Sequence, residues 1–317
     1  MRRREGNRKR RWTALALALL LAGLQPAAGL AGRFRPLPID LSPGAPLQAE
    51  FNYDIPVYED PTIRVEHHRV DRSQWGVIYY YALVTIRDPS QIRTASADDT
   101  FVSYARDAAN NIARRKNAVL AINGDFTIRF TKDEEFRYVY RQGQLYRDVV
   151  EPYLDLLLID EDGDFHILTD ADRPAEIDKT VIDGKKVINA FQFGPALVVD
   201  GEKVPDERLL DYKYSPMNAL PDRRAQRMCI AQTGDLSYMV LCCRQGLPLT
   251  ALRDLVLSIS PCRVAYTLDG GNSAQLVFMG TKINNVKKGG EIRRITDIIY
   301  FASAWFTGDG DAELEHN

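Results

Sequence analysis

Asp269-Gly270-Gly271-Asn272-Ser273 places a carboxylate, two glycines, an amide and a hydroxyl in five consecutive residues, between apolar runs at 264–268 and 274–279. Two adjacent glycines let a backbone adopt φ > 0 or approach another chain closely. Successive N–H groups of such a turn can hold an anion, and a carboxylate beside it can stabilise positive charge or move a proton. A near twin, Asn123-Gly124-Asp125, follows the apolar run 118–122. Two carboxylates at one end of a sheet can divide the roles of acid and base, or of acid and nucleophile. Taken singly, each motif is also an ordinary Asp-containing turn. The chemistry depends on elements that bring the two together.

Those elements are mostly strands. Residues 77–86, rich in β-branched and aromatic side chains, read as a strong strand, and 63–66 alternate like one. Hairpins are expected over 138–145, 155–168 and 227–243, with a turn, strand and turn over 193–201. Residues 264–268 form the strand that delivers Asp269, and 283–285 and 298–301 close the set. Helical spacing of Phe101, Tyr104, Ala105, Ala108, Ile112 and Ala113 predicts a helix from Asp98 to about Lys116, with acidic residues in its first turn. A shorter helix is expected at 248–257. Residues 203–224 read as a polar surface excursion. Many strands, two helices and no repeat predict a single α+β domain over 62–306, with a mixed, largely antiparallel β-sheet and a few packed helices. Regular βαβα alternation is absent, which disfavours a doubly wound nucleotide-binding fold.

The ends differ from the body. Residues 1–31 hold seven basic residues and one acidic, followed by an uncharged stretch from Trp12 to Gly32. This is the pattern of an export signal, or of an uncleaved membrane anchor. Pro26 and the small residues around it favour cleavage, and either form places the body outside the cytoplasm: extracellular or in the cell envelope. Beyond residue 31 there are 34 basic and 42 acidic residues, which argues against a nucleic-acid surface. Residues 32–61 read as a Pro-rich lead-in and 307–317 as an acidic flexible tail. Cys229, Cys242, Cys243 and Cys262 sit in apolar runs without zinc spacing and are expected as buried thiols, with a disulfide, which an oxidising compartment permits, as the alternative. His67 and His68 read as packing or solvated residues. Glu161-Asp162-Gly163-Asp164 reads as a hairpin tip, because the other ligands of a calcium loop are missing.

Four segments then occur in a telling order: Ala121-Ile122-Asn123-Gly124-Asp125-Phe126, Phe193-Gly194-Pro195-Ala196-Leu197-Val198, Arg227-Met228-Cys229-Ile230-Ala231-Gln232 and Leu268-Asp269-Gly270-Gly271-Asn272-Ser273. With Asn284 and residues 293–301 behind them, they resemble the phosphodiester glycosidase family over about residues 63–306. Asn272 and Ala231 stand where the family pattern has glycine, and each adds a side chain near the pocket. The resemblance implies cleavage of a sugar-1-phosphodiester to free sugar and a phosphomonoester. No cofactor or metal ligand is expected from the residues themselves. Asp269 is then the first candidate at the anomeric carbon, with Asn123 and Asp125 as further catalytic candidates. Arg227 and the Gly270-Gly271 turn are candidates for the phosphate, and Asn123, Asn272 and Ser273 for sugar hydroxyls. The expected partner is a glycan or sugar phosphodiester of the cell envelope or of exopolysaccharide. The alternative is a non-catalytic phosphoglycan-binding protein of exopolysaccharide assembly.

Overall fold

The computed structural model describes residues 33–101, 103, 105–125, 138–150, 154–169, 178–212, 226–284 and 293–307. The expected signal or anchor at 1–31 and the tail from 308 onward lie outside them, as do 213–224 of the expected surface excursion. Among the described residues no helix is long and apolar enough to cross a membrane.

Three antiparallel sheets carry the fold. The largest has eight strands in the order Glu202–Lys203, Ala196–Val199, Val264–Leu268, Met228–Gly234, Ser237–Cys243, Tyr79–Ile86, Ile63–Val70, Val57–Glu59. A five-stranded sheet runs Thr281–Lys282, Leu276–Phe278, Ala118–Asn123, Asp297–Ala302, Ile92–Ser96. A third sheet is built on the Leu156–Asp160 and Lys185–Gln192 strands and includes Tyr138–Arg141. Every strand pair among the described residues is antiparallel.

Alternation along the strands decides what each face touches. In the central strand of the five-stranded sheet, Leu120 and Ile122 enter the main core with Ile299 and Phe301. That core also holds Val65, Ala82, Val84, Ile230 and Val240, so the five- and eight-stranded sheets share it. The other face, with Ala121, Ile298 and Tyr300, packs on helix α1 (Ala109–Arg115) through Ala109, Ile112 and Ala113. Seven residues are too few for a stable isolated helix. Burial of Ile112, worth about 2–3 kcal/mol, is therefore what keeps α1 formed. Helix α2 is Asp206–Asp211, and α3, Leu249–Ile259, buries Leu249, Leu252, Leu255 and Val256.

The helix expected from Asp98 onward is confined to α1. The Asp98 carboxylate accepts the Thr100 amide and the hydroxyls of Ser96, Thr100 and Ser103, which closes a turn instead of a helix. Asp99 and Phe101 take φ of 62° and 53°, the left-handed region that a right-handed helix cannot pass through. The expected strand at 283–285 ends earlier, at Thr281–Lys282.

The lead-in is built into the fold. Residues Arg33–Arg35 pair with Trp305–Thr307, and Leu37 and Ala45 are buried. Arg93 is buried and donates to the Pro38, Asp40 and Ser42 carbonyls, strapping that segment down. All four cysteines are buried free thiols. Burial pushes Cys243 and Cys262 up to about 11, which keeps them protonated. His67 packs edge-on against Phe278 and His68 stacks on Tyr81 at 4.5 Å. At the 161–164 tip the Lys185 ammonium sits 2.9 Å from Asp162 and 3.3 Å from Asp164, so the carboxylates there already have a cation.

Candidate active site

Asp269 leaves the end of the fully buried Val264–Leu268 strand, and its own side chain is nearly buried. The antiparallel register sets Met228 opposite Leu268, so Arg227 and Asp269 leave neighbouring strands side by side. The Gly270-Gly271 turn then folds back on Gln226, whose carbonyl accepts the Gly271 N–H at 2.9 Å. A Cβ on Gly270 would lie 2.1 Å from that carbonyl oxygen, and Gly271 has φ +57°. Both glycines are therefore required, one by close approach and one by conformation. A single 3-10 turn, Gly271–Ser273, follows, and it buries Ser273 while leaving Asn272 exposed.

Two buried asparagines clamp this loop to the five-stranded sheet. Asn123, the last residue of its strand, donates through Nδ2 to the Asp269 carbonyl at 2.9 Å. Its Oδ1 accepts the Gln275 N–H at 3.2 Å. Asn284 does the same further along, donating to the Ala274 carbonyl and accepting the Leu276 N–H. Asn123 is thus engaged at both ends of its carboxamide with backbone, a positioning arrangement for Asp269. It also joins the two motifs: Asn123 touches residue 269, and Asp125, two residues on, is within about 7 Å of it along the chain.

Asp125 stands on a buried dock. Asp297 accepts the Asp125 N–H at 2.6 Å, and its carbonyl accepts the Gly124 N–H at 3.0 Å. A Cβ on Gly124 would come within 2.8 Å of the Asp297 carboxyl, so this glycine too is set by close packing. Arg141, fully buried beneath the Asp125 turn, pairs with Asp125 and Asp297, each at 3.3 Å. Its guanidinium lies over the Phe191 ring, 4.0 Å from the centroid, and donates to the Ala190 carbonyl. Burial pushes the Asp297 carboxyl up to about 6, against the downward pull of Arg141.

The cation that faces outward over the motif is Arg293. Its Nη1 donates to Ser273 Oγ at 3.1 Å and lies 3.8 Å from Asp269 Oδ2. Backbone bonds to Asn272 and from Gln275 fix it on the loop, yet its side chain is 43% exposed. Arg227 is 8% exposed and spends its Nε on the Leu247 carbonyl at 2.9 Å. The Phe193-Gly194-Pro195 segment borders the same strand end, where Pro195 accepts both the N–H and the hydroxyl of Thr267.

The structure brings the expected candidates Asp269, Asn123, Gly270, Gly271, Asn272 and Ser273 into one loop cluster, with Arg227 beside it and Asp125 two residues beyond Asn123. Sequence reading did not single out Arg141, Arg293 or Asp297. Arg141 ends an aromatic strand, a place where an arginine is usually solvated. Arg293 and Asp297 did fall in the segment that completed the family pattern. A separate cleft, lined by Leu37, Arg93, Gln142 and Asn189 among others, lies at the opposite end of the Ile92–Ser96 strand. Among the described residues no group of three or more His, Cys, Asp or Glu side chains is arranged to hold a metal.

Antiparallel sheets with glycine-bearing polar loops gathered at their ends make an α+β domain with a polar site at its strand ends. Residues 116–302, more than half of the chain, match the phosphodiester glycosidase family, and the chain belongs to that family. The fold is that of the zebrafish N-acetylglucosamine-1-phosphodiester α-N-acetylglucosaminidase catalytic domain, a structure auto-inhibited by its pro-peptide. The two are 15% identical with a TM-score of 0.61, covering 77% of this chain and 85% of that one. A hypothetical protein from Synechocystis is 16% identical over 80% of this chain and 64% of its own, with a TM-score of 0.49. A putative exported protein from Burkholderia pseudomallei is 12% identical over 71% and 74%, also with a TM-score of 0.49. No curated protein matches the sequence.

Proposed function

We propose that this protein is an exported hydrolase that cleaves a sugar-1-phosphodiester at the anomeric carbon, releasing free sugar and a phosphomonoester, on glycoconjugates of the cell envelope or exopolysaccharide. The observation that carries the reading is the Asp269–Arg293 pair, the first residue beside the glycine turn and the second bonded to it from the 293–302 segment: a nearly buried carboxylate and a half-exposed guanidinium 3.8 Å apart. A sugar phosphodiester presents that pair of needs. Its anomeric carbon gains positive charge as the C1–O bond breaks, and its phosphate carries the negative charge. Asp269 stabilises the first. Arg293 holds the second, with Arg227 behind it, while the Gly271 N–H, expected for the phosphate, is taken by the Gln226 carbonyl. The bond electrons leave on the bridging oxygen, and water adds to C1. Asp125 takes the proton of that water. The leaving phosphomonoester is a weak base, so the step needs little acid assistance.

The experiment is turnover of a nitrophenyl- or UDP-type sugar phosphodiester in ¹⁸O-labelled water. Label appearing in the sugar supports the reading. Label in the phosphate identifies a phosphodiesterase instead, and tight phosphoglycan binding without turnover identifies a non-catalytic binder. Within this scheme Arg293→Ala raises KM for the phosphodiester by about 10-fold or more, since a charge-assisted contact is worth about 1.5–3 kcal/mol. Because the side chain is half exposed, the thermal midpoint of this variant should stay close to that of the wild type.

A further inference from the structure

The cleft at the far end of the Ile92–Ser96 strand takes no part in this scheme. It lies between the lead-in at 36–39, the turn that precedes the strand and the third sheet, and it offers about 180 Å³. That is room for one six-membered ring, since a cavity of about 150 Å³ accepts benzene. Leu37, Ile92 and Ile159 give it apolar walls. Asn189, only 1% exposed, lines it as well. The Asn189 Oδ1 accepts the Thr94 hydroxyl and the Gln142 N–H, each at 3.0 Å. A backbone N–H can only donate, so this contact fixes which end of the carboxamide is which. Nδ2 is then left without an acceptor among the described residues. A buried donor in that state is costly and calls for a group that completes it.

The charges around the cleft narrow what that group can be. Asp88, Asp160 and Glu161 all line it. Asp160 is paired with His166 at 2.9 Å and lies 3.7 Å from Lys185. Asp88 and Glu161 have no ion pair among the described residues, and they keep the cleft negative. The one cation among the lining residues, Arg93, is already spent. Its Nε donates to the Tyr300 hydroxyl, and its two Nη atoms donate to the carbonyls of Pro38, Asp40, Ser42 and Ser90. An anion is therefore repelled. A cationic amine suits the carboxylates but brings no lone pair for Asn189 Nδ2. A hydroxyl both accepts and donates. A ring that carries several hydroxyls on an apolar carbon frame meets the amide, the carboxylates and the walls together.

We propose that this cleft binds one neutral sugar ring, at a site separate from Asp269. Asn189 Nδ2 donates to an oxygen of the ring, Asp88 and Glu161 accept from its hydroxyls, and Leu37, Ile92 and Ile159 pack against its C–H face. The length of the Ile92–Ser96 strand, about 14 Å, separates this cleft from the strand end where Ser96 pairs with Asp297. The two sites can thus be filled at once, and the cleft holds a glycan whether or not the glycine turn cleaves it. The proposal goes beyond the catalytic reading and does not depend on it.

The test is calorimetric titration of the purified protein with neutral methyl hexosides and methyl N-acetylhexosaminides, with a methyl hexuronide as the anionic control. Saturable binding of at least one neutral glycoside is expected, with the hexuronide at least 10-fold weaker. Ile39 lines the rim and is 53% exposed, so Ile39→Arg fills the mouth without touching the core. It should weaken binding 10-fold or more, while Asp269→Asn binds the glycoside as the wild type does. Asn189→Asp replaces the buried donor by an acceptor and should also abolish binding. Because it buries a charge and can unfold the protein, Ile39→Arg is the deciding variant. No saturable binding of any neutral glycoside means that the cleft holds only water, and overturns the proposal. Wild-type affinity in Ile39→Arg, or a hexuronide bound as tightly as its neutral counterpart, overturns it equally.

Discussion

Asp269→Asn lowers kcat/KM for a sugar phosphodiester by about 10³-fold while leaving the fold in place. The substitution keeps the shape of the side chain and removes its charge. Asn123 continues to hold the residue 269 carbonyl, so the loop keeps its position. What is lost is the anion beside the developing cation at C1. The effect should appear in kcat more than in KM, because the charge it opposes exists fully only in the transition state. Steady-state kinetics with circular dichroism on the same sample make the check. An Asp269→Asn enzyme with wild-type turnover would remove Asp269 from the chemistry and with it the assignment of this loop as the active site.

Gly270→Ala is the second large effect, and it acts through geometry. The added Cβ would lie 2.1 Å from the Gln226 carbonyl oxygen, which is backbone and cannot rotate away. The turn must shift by about an ångström, breaking the 2.9 Å bond between the Gly271 N–H and Gln226. Overpacking of this kind costs about 1–3 kcal/mol of stability. Misplacing Asp269 and Arg293 by that distance costs about 10²-fold in rate. Gly271→Ala is a useful contrast. Nothing lies within 4 Å of its Cβ, so its penalty comes only from the φ of +57°. Denaturant unfolding and kcat measured on both variants separate the two causes: Gly270→Ala should lose more activity than Gly271→Ala. Equal, small losses in both would mean that the close packing on Gln226 does not position the catalytic pair.

Much of the site was legible because its residues are contiguous. Asp269 to Ser273 and Asn123 to Asp125 are short polar interruptions at the ends of long apolar runs, and such runs read as strands that deliver whatever follows them. The hairpin over 227–243 was also expected, and in it Met228 pairs with Cys242, whereas the pairing of Met228 with Leu268 joins strands distant in the chain. Other features depended on contacts that apolar periodicity does not encode. The helix expected from Asp98 failed because a carboxylate gathered nearby hydroxyls and an amide, an outcome decided by local hydrogen bonds rather than by apolar spacing. The lead-in, with its prolines and weak periodicity, gave no sign that Arg93 would bind three of its carbonyls.

The chain order therefore carries the identity of the polar loops, the strand-rich class and the glycines that the tight turns demand, because those follow from side-chain alternation and backbone conformation over a few residues. Which polar groups meet is a different matter. Asp125 and Asp297 are separated by 172 residues, and Arg141 lies between them in sequence. They converge only when the 118–123 and 297–302 strands pair and the 138–141 strand packs below them. The glycine turn at 269–273 acquires its outward-facing cation, Arg293, by the same long-range folding. Burial then gives these groups their chemistry, since a charge removed from water responds strongly to the few partners left beside it.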